Sequence, residues 1–530
     1  MRLLFLLSLT AGLLAQPDQV AYDWSGQYGF LVDRGAMVWN RDWSLGALAL
    51  DGTLINYPSR FGPTIASRLA PDQDTLVYQA PDSTGVISRL INDRGDNYLD
   101  NLDISLEFNL PKSRVEIVGF KRVYVGPYRQ YSGPEQGPLQ QSYFLNYTGG
   151  TGRDTVLVTL GKFIGNSGLP DNGGLSFLRD EILAGGMVWI RQGKHNRFTT
   201  RISPFFQRYR GESSLAGGNF NYQLGQTVIA QSWERHPARW FAGLSWDWIR
   251  RGRELAPGLL LTPRQLTLWG HIHRSKNLDL KLGASFLDEN TTAVIKLRWR
   301  RSGKWAEQQI IGERETRPGI DFDNRASLNQ TWTHFGYELS HSRERIALNF
   351  GTNMTLVAGL PTPENWNSLL PGLLPGSWEQ SAGILLKPIS RWSLETQWKH
   401  YSGKSDLGPG YGDRFSELIR AQVFLFQQKM DLNIHFRMDG YFHRQRAVQF
   451  NPVRAMPEYQ LETSRLVRDP LWILTMGVEA HISSVTITWT MNNAALLFAG
   501  NNPDYLINWY DEFQPLGRMS RFTIDWSFTN

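Results

Sequence analysis

The stretch DLNIHFRMDGYFH, Asp431 to His443, decides the fold class. Leu432, Ile434, Phe436 and Met438 fall on one side of an extended chain, while Asn433, His435, Arg437 and Asp439 fall on the other. Strict alternation is the strand period, because successive side chains of a strand point to opposite faces. A globular strand usually ends after about five or six residues, whereas one tilted across a bilayer needs about nine to eleven. Length, more than alternation, therefore points to lipid.

The pattern recurs in both directions from this stretch. In Thr291 to Arg301, Ala293, Ile295, Leu297 and Trp299 oppose Lys296, Arg298 and Arg300. In Leu471 to Ser483 the apolar face is Trp472, Leu474, Met476, Val478, Ala480 and Ile482. Arg239 to Arg250 puts Trp240, Ala242, Leu244, Trp246 and Trp248 together, opposite Ser245 and Asp247. Similar faces begin at Leu102, Leu278 and Ile346, and roughly 20 such segments follow Val86. After the N-terminus no run approaches the roughly 18 to 20 apolar residues of a transmembrane helix. The expected fold is all-β: a transmembrane antiparallel β-barrel of roughly 16 to 22 strands, even in number, closed because lipid satisfies no backbone group. A secreted soluble all-β protein, binding or degrading glycans through exposed Trp, is the competing architecture.

Connector lengths add orientation. Leu287 to Thr291 and Ser340 to Arg345 read as short polar turns, and Gly312 to Asn324 and Gln445 to Pro470 as long loops, the asymmetry of periplasmic turns and external loops. Thr362 and Pro363 in Gly359 to Trp378, and Asn502 to Asp504 in Asn501 to Arg518, have the pattern of helix starts; each loop reads either as a short helix that narrows the lumen or, equally, as an exposed loop whose aromatics anchor at the interface.

Met1, Arg2 and the apolar run Leu3 to Ala15 read as a secretory signal peptide, residues 1–15. Residues 16–85, with Trp24, Trp39, Trp43 and frequent Gly and Pro, are expected to lie beneath the barrel or to occlude its lumen, and 86–530 to form the barrel. Aromatic residues make up 12% of the chain, which suits strands and membrane interfaces. Cysteine is absent, which excludes disulfides, thiolate metal sites and a lipid-anchoring cysteine. A net charge of +6 over 530 residues, without a long Lys/Arg block, speaks against nucleic-acid binding.

At the C-terminus Phe522, Ile524, Trp526 and Phe528 alternate, followed only by Thr529 and Asn530. This resembles the terminal strand that the barrel-assembly machinery recognises in outer-membrane proteins. The Val485 to Met491 strand, Asn492 and Asn493, and the Pro515, Leu516, Gly517, Arg518 turn together resemble the end of TonB-dependent receptor barrels. The resemblance implies the outer membrane of a Gram-negative cell, with its lipid and the assembly machinery as partners. Gln16 to Gly85 is shorter than the family's usual plug, which favours a plugless or porin-like barrel.

For chemistry, the sequence holds no Gly-x-Ser-x-Gly elbow, His-Glu-x-x-His pair or phosphate-binding loop, so no catalytic residue and no cofactor are assigned. His271 and His273 lack a third ligand at a meaningful spacing, and Asp93, Asp96, Asp100 and Asp103 lack an EF-hand pattern; a lumen face and a solvated turn are the readings preferred to metal. Lys296, Arg298, Arg300, Arg437 and Asp439 are assigned to the lumen, where the basic trio would favour anions unless nearby acids compensate it. The expected function is passage or binding of a small solute; an uptake receptor gated by an envelope partner protein, and an envelope scaffold, are the alternatives.

Overall fold

The computed structural model describes residues 30–33, 36–39, 84–126, 129, 132, 137–169, 176–213, 218–235, 243–256, 259–261, 264–274, 277–287, 290–303, 305–321, 326–358, 377–402, 412–426, 430–442, 444–445, 449–451, 456–458, 466–467, 471–499 and 517–529. The expected signal peptide, Trp240, Ala242 and nearly all of the two loops with helix-start patterns lie outside these residues.

β1 (Phe30–Asp33) and β2 (Ala36–Trp39) form a small hairpin. The next strands are β3 (Gly85–Gly95), β4 (Leu99–Leu110), β5 (Ser113–Val123), β6 (Leu139–Thr151), β7 (Asp154–Leu169), β8 (Ser176–Gln192), β9 (Asn196–Ser213), β10 (Gly218–Arg235) and β11 (Gly243–Ala256). After the short β12 (Leu259–Leu261) come β13 (Arg264–Arg274), β14 (Leu278–Leu287), β15 (Asn290–Ser302), β16 (Glu307–Asp321), β17 (Ala326–Ser342) and β18 (Ile346–Ala358). β19 (Ser377–Ile389), β20 (Trp392–Ser402), β21 (Gly412–Leu425) and β22 (Met430–Phe442) continue the wall. Four short strands follow in one long connection: β23 (Arg444–Gln445), β24 (Gln449–Asn451), β25 (Met456–Glu458) and β26 (Leu466–Val467). The wall ends with β27 (Leu471–Ile482), β28 (Val485–Asn492), the one-turn helix α1 (Leu496–Ala499) and β29 (Met519–Thr529).

Each wall strand pairs antiparallel with its chain neighbour, and β29 returns to pair with β3 from Arg521↔Gly95 to Thr529↔Ile87, which closes the ring. Twenty-two strands make the barrel, an even number at the top of the expected range. Closure leaves no edge strand, so backbone groups that lipid could not satisfy find partners across the ladders.

Side chains show which solvent each face meets. Leu102, Ile104, Leu282, Phe350, Phe436 and Ile524 are large, apolar and exposed. On the opposite face of the same sheet Asn101, Asp103, Arg122, Asn146, Asp180 and Gln207 are buried. An exterior of apolar side chains around a polar interior inverts a water-soluble core and fits a lipid-facing wall. No helix among the described residues is long and apolar enough to cross a membrane.

The rim carrying both the start of β3 and the end of β29 has short turns, such as 111–112, 152–153, 390–391 and 483–484. The opposite rim carries the long connections, including 359–376 and 493–518. Ser340 to Arg345 falls on the short-turn rim as expected. Leu287 to Thr291, however, is a tight turn on the long-loop rim, and most of Gly312 to Asn324 is not a loop, since β16 runs on to Asp321. Pro318 sits where β16 has outrun β15 and is laddered only to β17, an edge position of the kind that tolerates proline.

β7 to β10 have 16 to 18 residues, more than a bilayer crossing requires. On β8 and β9 the surplus runs past Leu183 and Phe206 into charge, where Glu181 pairs with Arg179 at 2.5 Å and Arg210 at 3.9 Å on the outer face. The β8–β9 ladder lapses between Ala184↔Phe205 and Met187↔Ile202, at Pro204, which has no donor. Between β3 and β4, Asn97 and Tyr98 take φ of 55° and 60° and the Leu99 N–H donates to the Asp96 carbonyl at 3.2 Å. That turn matches the strand twist and fills the acidic stretch with a hairpin.

Candidate functional site

The inner wall carries two unlike stretches, one with an apolar patch and one with a polar row. Across β6 to β10 it carries Phe144, Phe163, Ile182, Ala184, Phe205 and Val228, all buried although they face inward. An apolar patch on a water-filled lumen would be wet. Here β2 packs on β6, β7 and β8, and the Ala36 methyl occupies the space a side chain at position 161 would need. Gly161 is thus a seat: without a Cβ it lets the hairpin's backbone approach the wall. Ala36 is fully buried there.

The other stretch is polar. Gln422, Asn433, Glu479, Thr488, Thr523, Asp93, Asn101, Arg122 and Gln140 stand in register on successive strands from β21 through the β29–β3 seam to β6. Cross-strand neighbours on one face lie about 5 Å apart, within hydrogen-bond reach for polar side chains. Asn433 Nδ2 donates to Glu479 Oε1 at 3.1 Å, and Asn101 Nδ2 to Asp93 Oδ2 at 2.9 Å. Arg122 donates through Nε to Asn101 Oδ1 and through Nη1 to Gln140 Oε1, each at 3.2 Å, and lies over the Phe120 ring. Only 1% of Arg122 is exposed, so these bonds replace its water.

A cavity of about 870 Å³ opens along this stretch. Arg420, His435 and Arg521 flank it one row nearer the long loops, with the His435 ring lying over Gly477. One row nearer the short turns, Arg89 grips Asp525 with two bonds, Nε to Oδ1 at 2.8 Å and Nη2 to Oδ2, across the closing seam. His481 bridges Glu479 and Thr486, at 2.5 Å and 2.8 Å. Such a surface offers a polar solute donors and acceptors from paired, immobile groups.

The five sequence-assigned lumen charges separate into two places. Arg437 and Asp439 line the cavity and pair at 2.9 Å, the carboxylate being almost fully buried. Lys296, Arg298 and Arg300 lie on the inner face of β15, away from that cavity. Lys296 Nζ meets Glu313 at 2.7 Å and lies 5.7 Å from the Trp269 ring centre; Arg300 pairs with Glu307; Arg298 stands opposite Asp279 in register. Two of the trio are thus paired with acids on β16, and Arg298 faces an acid on β14. Phe522, Ile524, Trp526 and Phe528 form the exposed face of β29.

Arg89, Asp93, Asp103, Arg122, Arg420 and Arg521 were not singled out as lumen charges from the sequence. Their signal was parity: Arg521, Thr523 and Asp525 occupy the alternate positions of the C-terminal strand that had been read for its aromatics. Of the four acids read as one cluster, Asp93 and Asp103 point inward, while Asp100 pairs with Arg94 on the outside at 3.7 Å. A bulge in the β13–β14 ladder between His271 and His273 breaks the alternation on which their pairing rested, and their side chains lie outside the described residues. Among the described residues no three His, Cys, Asp or Glu stand together as a metal site.

Solved structures share this architecture. The chain is similar to the FrpB iron transporter from Neisseria meningitidis (F5-1 variant), at 10% identity over 84% of this chain and 83% of that one, with a TM-score of 0.59. A mutant of the ferric enterobactin receptor PfeA from Pseudomonas aeruginosa matches at 9% identity over 85% and 81%, TM-score 0.60. The siderophore receptor PirA from Acinetobacter baumannii gives 9% identity over 85% and 81%, TM-score 0.59. The fold is that of the outer-membrane receptor barrels. No protein-family profile and no curated sequence matches the chain.

Proposed function

We propose that this chain is an outer-membrane uptake barrel of a Gram-negative cell, which passes a small solute along the polar stretch of a lumen partly occupied by its own N-terminal segment. The observation that carries this is the seating of Ala36 on Gly161, on an apolar patch of the inner wall that adjoins the polar, charged stretch. An open porin has no use for a dry inner wall. The strand number agrees, since 22-stranded outer-membrane transporters have plugged lumens. The proteins of similar fold are named for iron and siderophore transport, which favours the uptake receptor over free diffusion.

On this reading residues 1–15 direct export, 16–85 occupy the lumen, and Phe522, Ile524, Trp526 and Phe528 present the terminal strand to the barrel-assembly machinery. Uptake through an occluded lumen calls for an envelope partner that moves the segment. Planar-bilayer recording tests the reading: the mature chain is expected to conduct little, and a chain lacking residues 16–84 to conduct ohmically. Equal conductance of the two, or recovery of the mature chain as a soluble monomer without detergent, overturns it.

A further inference from the structure

Several charges on the inner wall are ion-paired, whereas the described cations in the turns of the short-turn rim are not. The described turns of that rim contain Lys112, Arg153, Lys194, Arg343, Arg345 and Arg391, all exposed, against a single acid, Glu344. None of these six cations makes an ion pair with another described residue. Arg343 lies over the Trp305 ring at 4.2 Å and Arg391 over Phe424 at 4.7 Å, so two are fixed against aromatic side chains.

Position says what these cations meet. The turns are two or three residues long, so each cation stays beside the lower edge of the apolar exterior. Leu110 precedes Lys112 by two residues, Ile346 follows Arg345, and Ile389 and Trp392 flank Arg391, all of them exposed apolar side chains. Such cations lie level with headgroups, where aromatic side chains also gather. They stand in two separate arcs of the ring, at the β4–β5, β6–β7 and β8–β9 turns and at the β17–β18 and β19–β20 turns. A protein docking at one spot would be met by a single patch; cations in two arcs of the circumference fit the annulus of lipid.

We propose that the short-turn rim binds anionic phospholipid headgroups of the adjoining leaflet, each cation engaging a phosphate. The proposal rests on the membrane reading of the exterior but not on the solute or the N-terminal segment. Attraction of a surface cation to anionic lipid corresponds to about fivefold enrichment per contact.

The full mature chain is reconstituted into vesicles of phosphatidylcholine with a minority of phosphatidylglycerol, and spin-labelled lipids report annulus composition by electron paramagnetic resonance. The expected result is several-fold enrichment of spin-labelled phosphatidylglycerol over phosphatidylcholine, weakened by salt. It is lost when Lys112, Arg153, Lys194, Arg343, Arg345 and Arg391 are all changed to Gln, while heat-modifiable migration shows the barrel still folded. Should that variant fail to fold, two three-residue variants, Lys112, Arg153 and Lys194 to Gln and Arg343, Arg345 and Arg391 to Gln, are each expected to lose part of the enrichment. Equal lipid composition around folded wild type and variant overturns the proposal, as does a rim that crosslinks to an acidic protein without selecting lipid. Failure of wild type to insert at all would overturn the membrane reading as well.

Discussion

Replacing Phe436 with Arg tests the inside-out assignment most directly. Phe436 lies on the exposed face of β22, six positions above Met430 at the short-turn end. A strand rising about 3.3 Å per residue and tilted about 40° gains roughly 2.5 Å per residue along the membrane normal, which puts Phe436 about 15 Å above that end. The apolar band of such barrels is about 25 Å tall, so the site is near its middle, where Arg on the lipid face costs about 2 to 4 kcal/mol. Taking about 3 kcal/mol, the folding equilibrium in vesicles falls by more than about a hundredfold. Thr488→Arg places the same charge on the cavity side of β28, beside Glu479, and is expected to change stability by less than about 1 kcal/mol. Guanidinium titration of both variants in phospholipid vesicles, followed by tryptophan fluorescence, measures the difference. Equal losses would refute the assignment of faces, because only a lipid exterior separates these two positions so widely.

Three further outcomes follow from the inner wall. Gly161→Phe fills the seat of Ala36, so conductance is expected to rise toward that of the chain lacking residues 16–84 while heat-modifiable migration persists; a closed channel would show that the hairpin is not held there. Lys296→Gln removes the cation 2.7 Å from Glu313 and is expected to shift the reversal potential toward cations, with Lys296→Gln and Glu313→Gln together restoring it; no shift in the single variant would place the pair off the conducting path. Arg122→Leu strips the donor that joins Asn101 to Gln140 in a buried row, an expected loss of about 3 to 5 kcal/mol by denaturant titration, and a loss below about 1 kcal/mol would mean that water replaces the guanidinium there.

Strand identity and facing could be read from the chain because alternation is local: Leu432 to Asp439 declare two faces whatever surrounds them, and a tilted crossing sets a length no globular strand needs. The same parity assigned Lys296, Arg437 and Asp439 to the lumen. It could not say that Glu313 cancels Lys296, since register between strands depends on turns and bulges that composition does not reveal, such as the one between His271 and His273. Nor could it anticipate the polar row from Gln422 to Gln140. That row joins residues from both ends of the chain and exists only because β29 closes on β3. The apolar patch of the lumen is likewise a tertiary fact: Phe144, Ile182 and Phe205 look like ordinary inward positions until the β1–β2 hairpin, far off in sequence, comes to rest beside them with Ala36 on Gly161. Local periodicity is written residue by residue, whereas ring closure and the seating of the N-terminal hairpin depend on which distant segments meet.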